Sequence, residues 1–460
     1  MDNLNAHVSR MMRRLIAARL WLTVCQLPPY APKFNPVEGV WSLMKRGLAD
    51  FAAANLDHLA QVMKRKLRKI QYRPHLIEGI IAKTGLDLQP RSRRGRWYPL
   101  VGLLLICACA VVSGARTITE ITEWGQRATI TVLELLGIRR HLPGRRRAPS
   151  HATLTRLLAA LDSDALEAAV GTYLAERDHT VVGATGSAPR PAIAVDGKAL
   201  SGSAHRTQRH RHLLSAVTHA PTVTLAQREV GAKTNETAAF RPLLEPLDLA
   251  STVVTFDALH SVKDQVRCLV QEKKAHYIAV IKGNQPTASA QVKALPWEQV
   301  PVAHTVSGTG HGRRESRSVN TMAIVANLGG IAFPGARLAL RIHRRRQESG
   351  KRQTRETVYA VTSLDTHQAS PADLGGYVRG HRGIENSSHH VRDVVFVEDT
   401  STVHTGNAPR AMAALRNLAI GRLRLLGADN IATTTRAIRD APEHAVWIWC
   451  ITDSPLLPRT

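Results

Sequence analysis

Two aspartates in the 460-residue chain each close a short apolar run: Asp196 ends AIAVD (192–196) and Asp257 ends STVVTFD (251–257). Apolar runs of that length, bounded by turn residues, predict buried strands. In open α/β sheets, functional groups gather where strands end. Carboxylates there can hold Mg²⁺ with few protein ligands, leaving positions for a phosphate and a water. Two such ions about 4 Å apart serve phosphoryl transfer, activating a nucleophile and stabilising the leaving oxygen. That chemistry asks for a third carboxylate. Glu385 is the best candidate, opening a helical stretch in GHRGIENSSHHVRD (380–393), among Arg379, His381, Arg382, His389, His390 and Arg392. The residue types leave a second role open, because a lone glutamate in so basic a setting commonly serves as a surface ion pair.

The elements that must position these groups follow from the pattern. HLLSAV (212–217) and TVTLAQREV (222–230) read as strands, ETAAFRPLLEPL (236–247) as a helix, SVKDQVRCLVQEKK (261–274) as a helix and HYIAVIKG (276–283) as a strand. Three strands followed by alternating helix and strand predict a mixed α/β sheet. Residues 300–365 read as strand-rich, and helices return from 371, including ALRNLAIGRLRLLG (414–427). Ahead of the sheet, residues 97–178 read as helical. Within them, Pro99–Ala115 is an apolar run of 17 residues holding two glycines and a serine. A membrane span needs about 20 residues, so this run predicts a buried helix. Ile118–Leu136 carries apolar residues at spacings of three and four, and Ser150 is a predicted N-cap for the helix after it.

Composition narrows the partners. Lys and Arg number 62 against 36 Asp and Glu, a formal net charge of +26, which favours a polyanionic partner. With 44% hydrophobic and 21% charged residues, a mainly disordered chain is excluded. Five cysteines without a C-x-x-C pair argue against a disulfide framework or a cysteine zinc finger and suit a reducing cytoplasm. Cys107 and Cys109 are expected in the helical core. The amino terminus has no secretory pattern. His210 and His212 are expected to be solvated or phosphate-contacting. For Glu398 and Asp399 a structural ion pair is favoured over a part in metal binding.

The pieces AIAVDGKALSGS (192–203), KTNE (233–236), VVTFDALHS (253–261), YIAVIKGNQ (277–285), GHGRRESR (310–317) and HRGIENSSHHVRDVVFVED (381–399) occur in an order that resembles the DDE transposases of the H-repeat-associated (ISAs-type) insertion-sequence family. RRGRWYPLVGLLLICACAVVSGARTITEITEW (93–124) resembles the helical region preceding that family's catalytic domain. The resemblance implies an RNase H-like catalytic domain over 179–460, with a strand-rich insertion at about 286–370, preceded by a helical domain at 91–178. It implies an acidic triad of Asp196, Asp257 and Glu385 holding Mg²⁺, with Mn²⁺ as a substitute. Lys198, Lys282, Asn284, Arg379 and His381 would line a DNA-facing rim, and Arg313 and Arg317 would contact phosphates. One position departs from the family's H-W-x-I-E-N pattern, with Arg382 where tryptophan is usual.

A second, partial resemblance covers residues 1–90. DNLNAH (2–7) and LPPYAPKFNPVEGVWSLMKR (27–46) are similar to the end of an IS-six-thirty transposase of the Tc/mariner clan. It implies a truncated fragment in which Asp2 and Glu38 are a vestigial acidic pair without the first carboxylate. The expected function is thus an insertion-sequence transposase performing DNA phosphodiester hydrolysis and transesterification on element ends and target. It would act as a homodimer on DNA in the cytoplasm, associated with the nucleoid and not with a membrane. The alternatives are a catalytically inactive DNA-binding relic and an RNase H-like nuclease acting on RNA or branched DNA.

Overall fold

The computed structural model describes residues 98–138, 147–178, 189–204, 210–231, 236–310, 312–324, 330–348 and 350–449, together with 61–65 and 67. The chain divides into two compact units, 1–96 and 97–460. Of the first, only a helical turn at 61–65 and residue 67 are described. Asp2 and Glu38 therefore lie outside the described residues, as do Lys233, Thr234 and Asn235 of the KTNE motif.

The second unit opens with helices. α1 (Leu100–Val112) is apolar around most of its circumference and accordingly buried, Cys107 and Cys109 included. α2 (Ile118–Arg127) starts at Thr117, whose hydroxyl accepts from the Glu120 N–H. The single helix expected over 118–136 is broken, because Thr129 caps a new one, α3 (Ile130–Leu135). α4 (His151–Ala160) starts at Ser150, which accepts from the Thr153 N–H, and α5 (Ser163–Asp178) follows.

The strands then begin: β1 (Ala192–Leu200), β2 (Arg211–Thr218) and β3 (Thr224–Val230). Next come α6 (Glu236–Leu244), β4 (Val253–Phe256), a 3₁₀ turn at Ala258–His260, and α7 (Lys263–Arg267), which runs into a π-turn at Cys268–Glu272. β5 (His276–Ile281), α8 (Pro286–Lys293), β6 (His304–Gly310), β7 (Arg313–Ala323), β8 (Leu338–Glu348) and β9 (Thr354–Thr362) complete the sheet. α9 (Pro371–Ile384) is anchored by a capping box between Ser370 and Asp373. It passes through a π-turn, Glu385–His389, into α10 (His390–Val394). α11 (Ala408–Leu425), α12 (Ile431–Asp440) and α13 (Glu443–Ile448) end the described chain.

All nine strands form one mixed sheet in the order β3-β2-β1-β4-β5-β9-β8-β7-β6. β4 pairs in parallel with β1 and β5, and every other pairing is antiparallel. The strand-rich stretch does not form a sheet of its own. β9 pairs with β5, so four more strands extend the sheet from that side. One face buries Val195, Leu214, Phe256 and Tyr277 with Phe240 of α6. The other buries Ile278, Leu340 and Ala360 with Leu374 and Tyr377 of α9. A third core joins α1, α2 and α4 to α11, α12 and α13, through Ile106, Ile121 and Leu154 with Met412, Leu415 and Ile438. Each such fully buried large aliphatic contributes roughly 1.5–3 kcal/mol relative to exposure.

Candidate active site

The parallel ladder of β1 and β4 ends at Val195 opposite Phe256, so Asp196 and Asp257 hold the next positions on adjacent strands. Asp196 lies inside β1, not after the strand as its sequence suggests, because antiparallel pairing with β2 continues to Leu200. Side chains alternate across a strand. Ala194 packs with Ile384 of α9, and Thr255 Oγ1 lies 3.3 Å from His381 Nδ1. Two positions on, Asp196 and Asp257 therefore face the side that α9 covers. Asp257 also caps the following turn, its Oδ1 accepting from the Leu259 N–H at 3.0 Å. Glu385, exposed, opens the π-turn at the end of α9. Such single π-turns recur at functional sites.

Burial raises the Asp196 carboxyl to about 6, against a stabilising 2.9 Å hydrogen bond from the Gly197 N–H. Negative charge on Asp257, Glu385 and Glu236 pushes it the same way as burial. The three candidate catalytic carboxylates thus share an electrostatic field. They do not share a coordination sphere as they stand, since no group of three His, Cys, Asp or Glu among the described residues is close enough to hold a metal. Charge coupling reaches farther than the 2.0–2.6 Å of a metal–oxygen bond, so the two observations agree. His389 Nδ1 lies 3.7 Å from Asp196 Oδ2. Burial, with Arg392 and Lys198 nearby, lowers that imidazole to about 3, so the contact is between a carboxyl and a neutral ring. Among the described residues neither Asp257 nor Glu385 takes part in an ion pair.

The expected rim residues fall into different settings. Lys282, Asn284, Arg313 and Arg379 are exposed. Asn284 Nδ2 also donates to the Ala258 carbonyl, bracing the turn after Asp257. Arg317 is half-buried and shares Glu315 Oε1 with Arg344, each at 2.7 Å. His381 is lowered to about 4 by burial and sits neutral against Thr255. Lys198 differs from the expectation. It is 8% exposed and points inward to Asp393 at 2.7 Å and Asp399 at 3.6 Å, so it is a structural cation and not part of an open rim. Arg382 reaches toward Glu356 at 3.5 Å over a cavity of about 50 Å³. Thr255, Ile278, Ile342, Val358, Val378 and His381 line it.

Reading by residue type missed Glu236. Its carboxylate takes up both His212 and His260 beside the site, although it was visible only as the last letter of KTNE. The separation in sequence of its partners hid the cluster.

Residues 178–421 match the family model described as "Transposase DDE domain", residues 88–174 the one described as "DDE_Tnp_1-associated", and residues 1–60 "DDE superfamily endonuclease". Among curated proteins, "Putative transposase YncI" of Escherichia coli O157:H7 is 26% identical over 71% of this chain and 82% of its own. "H repeat-associated putative transposase YhhI" of E. coli K12 is 26% identical over 71% and 85%. An uncharacterised protein from the dhlA 3′ region of Xanthobacter autotrophicus is 30% identical over 52% and 79%.

Proposed function

Because the chain belongs to the DDE transposases, in the H-repeat-associated family, we propose that it cuts and joins DNA at the ends of its own insertion sequence with Asp196, Asp257 and Glu385 as the catalytic carboxylates. The supporting observation is the placement of two aspartates at the end of one parallel strand pair, charge-coupled to a glutamate from the helix across that face. The three antiparallel strands followed by two parallel ones, with an acid at the centre, suit an RNase H-like arrangement.

The donor set is three carboxylates, hard oxygen donors with which no Lys or Arg among the described residues is paired, which fits Mg²⁺, or Mn²⁺ in its place. Bound there, such an ion would supply an acidified water and charge stabilisation on the phosphate oxygens. The water's oxygen would form a bond to phosphorus as the bond from phosphorus to the 3′-oxygen breaks, and that oxygen would leave as a 3′-hydroxyl carrying a proton from the water. That hydroxyl would then attack a target phosphorus in line, displacing the target's 3′-oxygen, which takes up the proton the hydroxyl gives up. Lys282, Asn284, Arg379 and His381 belong to this reading as the rim that would meet the DNA. Arg313 and Arg317 extend the basic surface along β7, where they would contact phosphates without reading sequence. A homodimer on paired ends and residence on the nucleoid belong to the same reading, as does residues 1–90 as a truncated remnant with Asp2 and Glu38 vestigial. Among the described residues no helix is long and apolar enough to cross a membrane.

The test is strand cleavage of DNA bearing the element's ends, in Mg²⁺ and in EDTA. Asp257→Asn is expected to lose cleavage by about a thousandfold or more, about 4 kcal/mol of transition-state stabilisation, while keeping DNA affinity. Cleavage by that variant at the wild-type rate refutes the triad. Arg382 favours a second reading, an inactive DNA-binding relic. That reading requires salt-sensitive binding without metal-dependent cleavage in the wild type.

A further inference from the structure

Glu236 lies behind the aspartates. Gly197 stands opposite Leu214, whose side chain enters the core beneath α6, so Glu236 meets the sheet on the face away from α9. Its two carboxylate oxygens take one histidine each. Oε1 meets Nε2 of His212 on β2, and Oε2 accepts from Nε2 of His260 at 3.1 Å. A carboxylate held well below the usual range, at about 2, accepts and does not donate, so the His260 ring carries a proton on Nε2. The cause of that depression is the hydrogen bonds from His212 and His260.

Both histidines are tied to the catalytic strands. His260 is 1% exposed and stacks on Phe240 at 5.4 Å, and its backbone N–H donates to the Asp257 carbonyl at 3.2 Å. His212 pairs across β1 with Ala199, three residues from Asp196. Gly197, next to Asp196, leaves the necessary room. A Cβ there would lie 2.6 Å from both Glu236 Oε1 and His212 Nε2.

We propose that Glu236 is a positioning residue for DNA cleavage: gripped by His212 and His260 and laid against Gly197, it fixes the separation of the backbone segments that carry Asp196 and Asp257. The proposal rests on the reading of those aspartates as catalytic. The parallel pairing of β1 with β4 stops at Val195 and Phe256, one residue short of both carboxylates, so Glu236 acts where that ladder has ended.

The experiment compares wild type, Glu236→Gln, Gly197→Ala and Asp257→Asn. Nicking of element-end DNA is followed across a Mg²⁺ titration, and melting temperature is followed across the same titration without DNA. Glu236→Gln turns an amide donor toward a histidine N–H and loosens one grip. Misplacement of a reacting group by about 1 Å costs on the order of a hundredfold. Glu236→Gln is therefore expected to nick at least about tenfold more slowly. The Mg²⁺ concentrations for half-maximal nicking and for the rise in melting temperature should both move upward, with DNA affinity unchanged. Gly197→Ala should reproduce all three shifts, and it decides the matter if Glu236→Gln does not fold. Rates and Mg²⁺ demand within twofold of wild type in the folded variants overturn the proposal. So does a loss of rate that follows only the folded fraction. If Asp257→Asn nicks normally, the reading of the aspartates fails and this one with it. If Asp257→Asn is dead while Glu236→Gln is normal, only the positioning role fails.

Discussion

Two carboxylate clusters lie close to the carboxyl end of α9, and they are built on opposite principles. Glu398 is 2% exposed and held between two buried guanidiniums, with Arg392 Nε at 2.8 Å and Arg416 Nη1 at 2.8 Å. Burial raises its carboxyl, but the two cations more than offset that and hold it at about 2. Among the described residues Asp196, Asp257 and Glu385 have no such partners. Burial, with the charges of Asp257 and Glu385 acting the same way, raises Asp196 to about 6. A neutralised cluster can hold helices together. An uncompensated one spends stability on keeping a place for an external cation. Lys198 belongs with the first kind, joined to Asp393 and Asp399.

The comparison breaks first, and hardest, at Glu398. Glu398→Ala leaves two guanidiniums buried without their anion, and such losses run to about 3–5 kcal/mol. Urea unfolding should show it, whereas Asp257→Asn should leave unfolding within about 0.5 kcal/mol of wild type. Equal stabilities for the two variants would erase the distinction between the clusters.

Acid sharpens the same contrast with opposite signs. Glu398 has a folded pKa below its unfolded value. Its contribution is complete above about 4.3, the ordinary value for glutamate, and is lost as pH falls toward about 2. Asp196 has a folded pKa above its unfolded value, so in metal-free protein its penalty is complete above about 6 and vanishes below the ordinary aspartate value of about 3.9. Unfolding curves measured from pH 7 to pH 3 should therefore converge for wild type and Glu398→Gln, with most of the convergence below pH 4.5. For Asp196→Asn the gain over wild type at pH 7 should have mostly disappeared by pH 4. A gain undiminished at pH 4 contradicts the assignment of the raised group.

A smaller effect comes from filling the uncompensated site. A ligand that binds only the folded state stabilises by about 1.4 kcal/mol at ten times its Kd. Mg²⁺ at that level should raise the melting temperature of wild type and not that of Asp196→Asn or Glu385→Gln. An equal rise in all three places the ion elsewhere.

These contrasts were unequally visible in the sequence. Asp196 and Asp257 stood out because buried strands are apolar runs and an acid at their end is conspicuous. The continuation of β1 past Asp196 did not, since GKAL carries no strand pattern of its own and is held by β2. The break at Thr129 was hidden by an unbroken helical period, which the Thr129 cap overrides. Glu236 and its histidines lie 24 residues apart in both directions along the chain, so only the folded sheet brings them together. Lys198 looked like a surface cation because its two acidic partners follow about 200 residues later. The ion pair expected for Glu398 is present, supplied by Arg392 and Arg416.

The smallest expected effect concerns Arg382, which lies in the uncompensated region yet carries the pairing habit of the other. Its contact with Glu356 is 3.5 Å long between groups 33% and 51% exposed, and ion pairs of that kind are worth about 0–1 kcal/mol. Beneath it is a cavity whose walls are aliphatic at Ile278, Ile342, Val358 and Val378. Arg382→Trp gives up the weak pair and offers an apolar ring to those walls, so the two terms nearly cancel. Stability should change by less than about 1 kcal/mol, in either direction, by urea unfolding. The informative readout is cleavage. If wild type is inactive and Arg382→Trp nicks in Mg²⁺, the relic reading is traced to this one side chain and the carboxylates beside it are intact. If both nick equally, arginine is a tolerated neighbour of the site, and the contrast between the two clusters rests on their carboxylates alone.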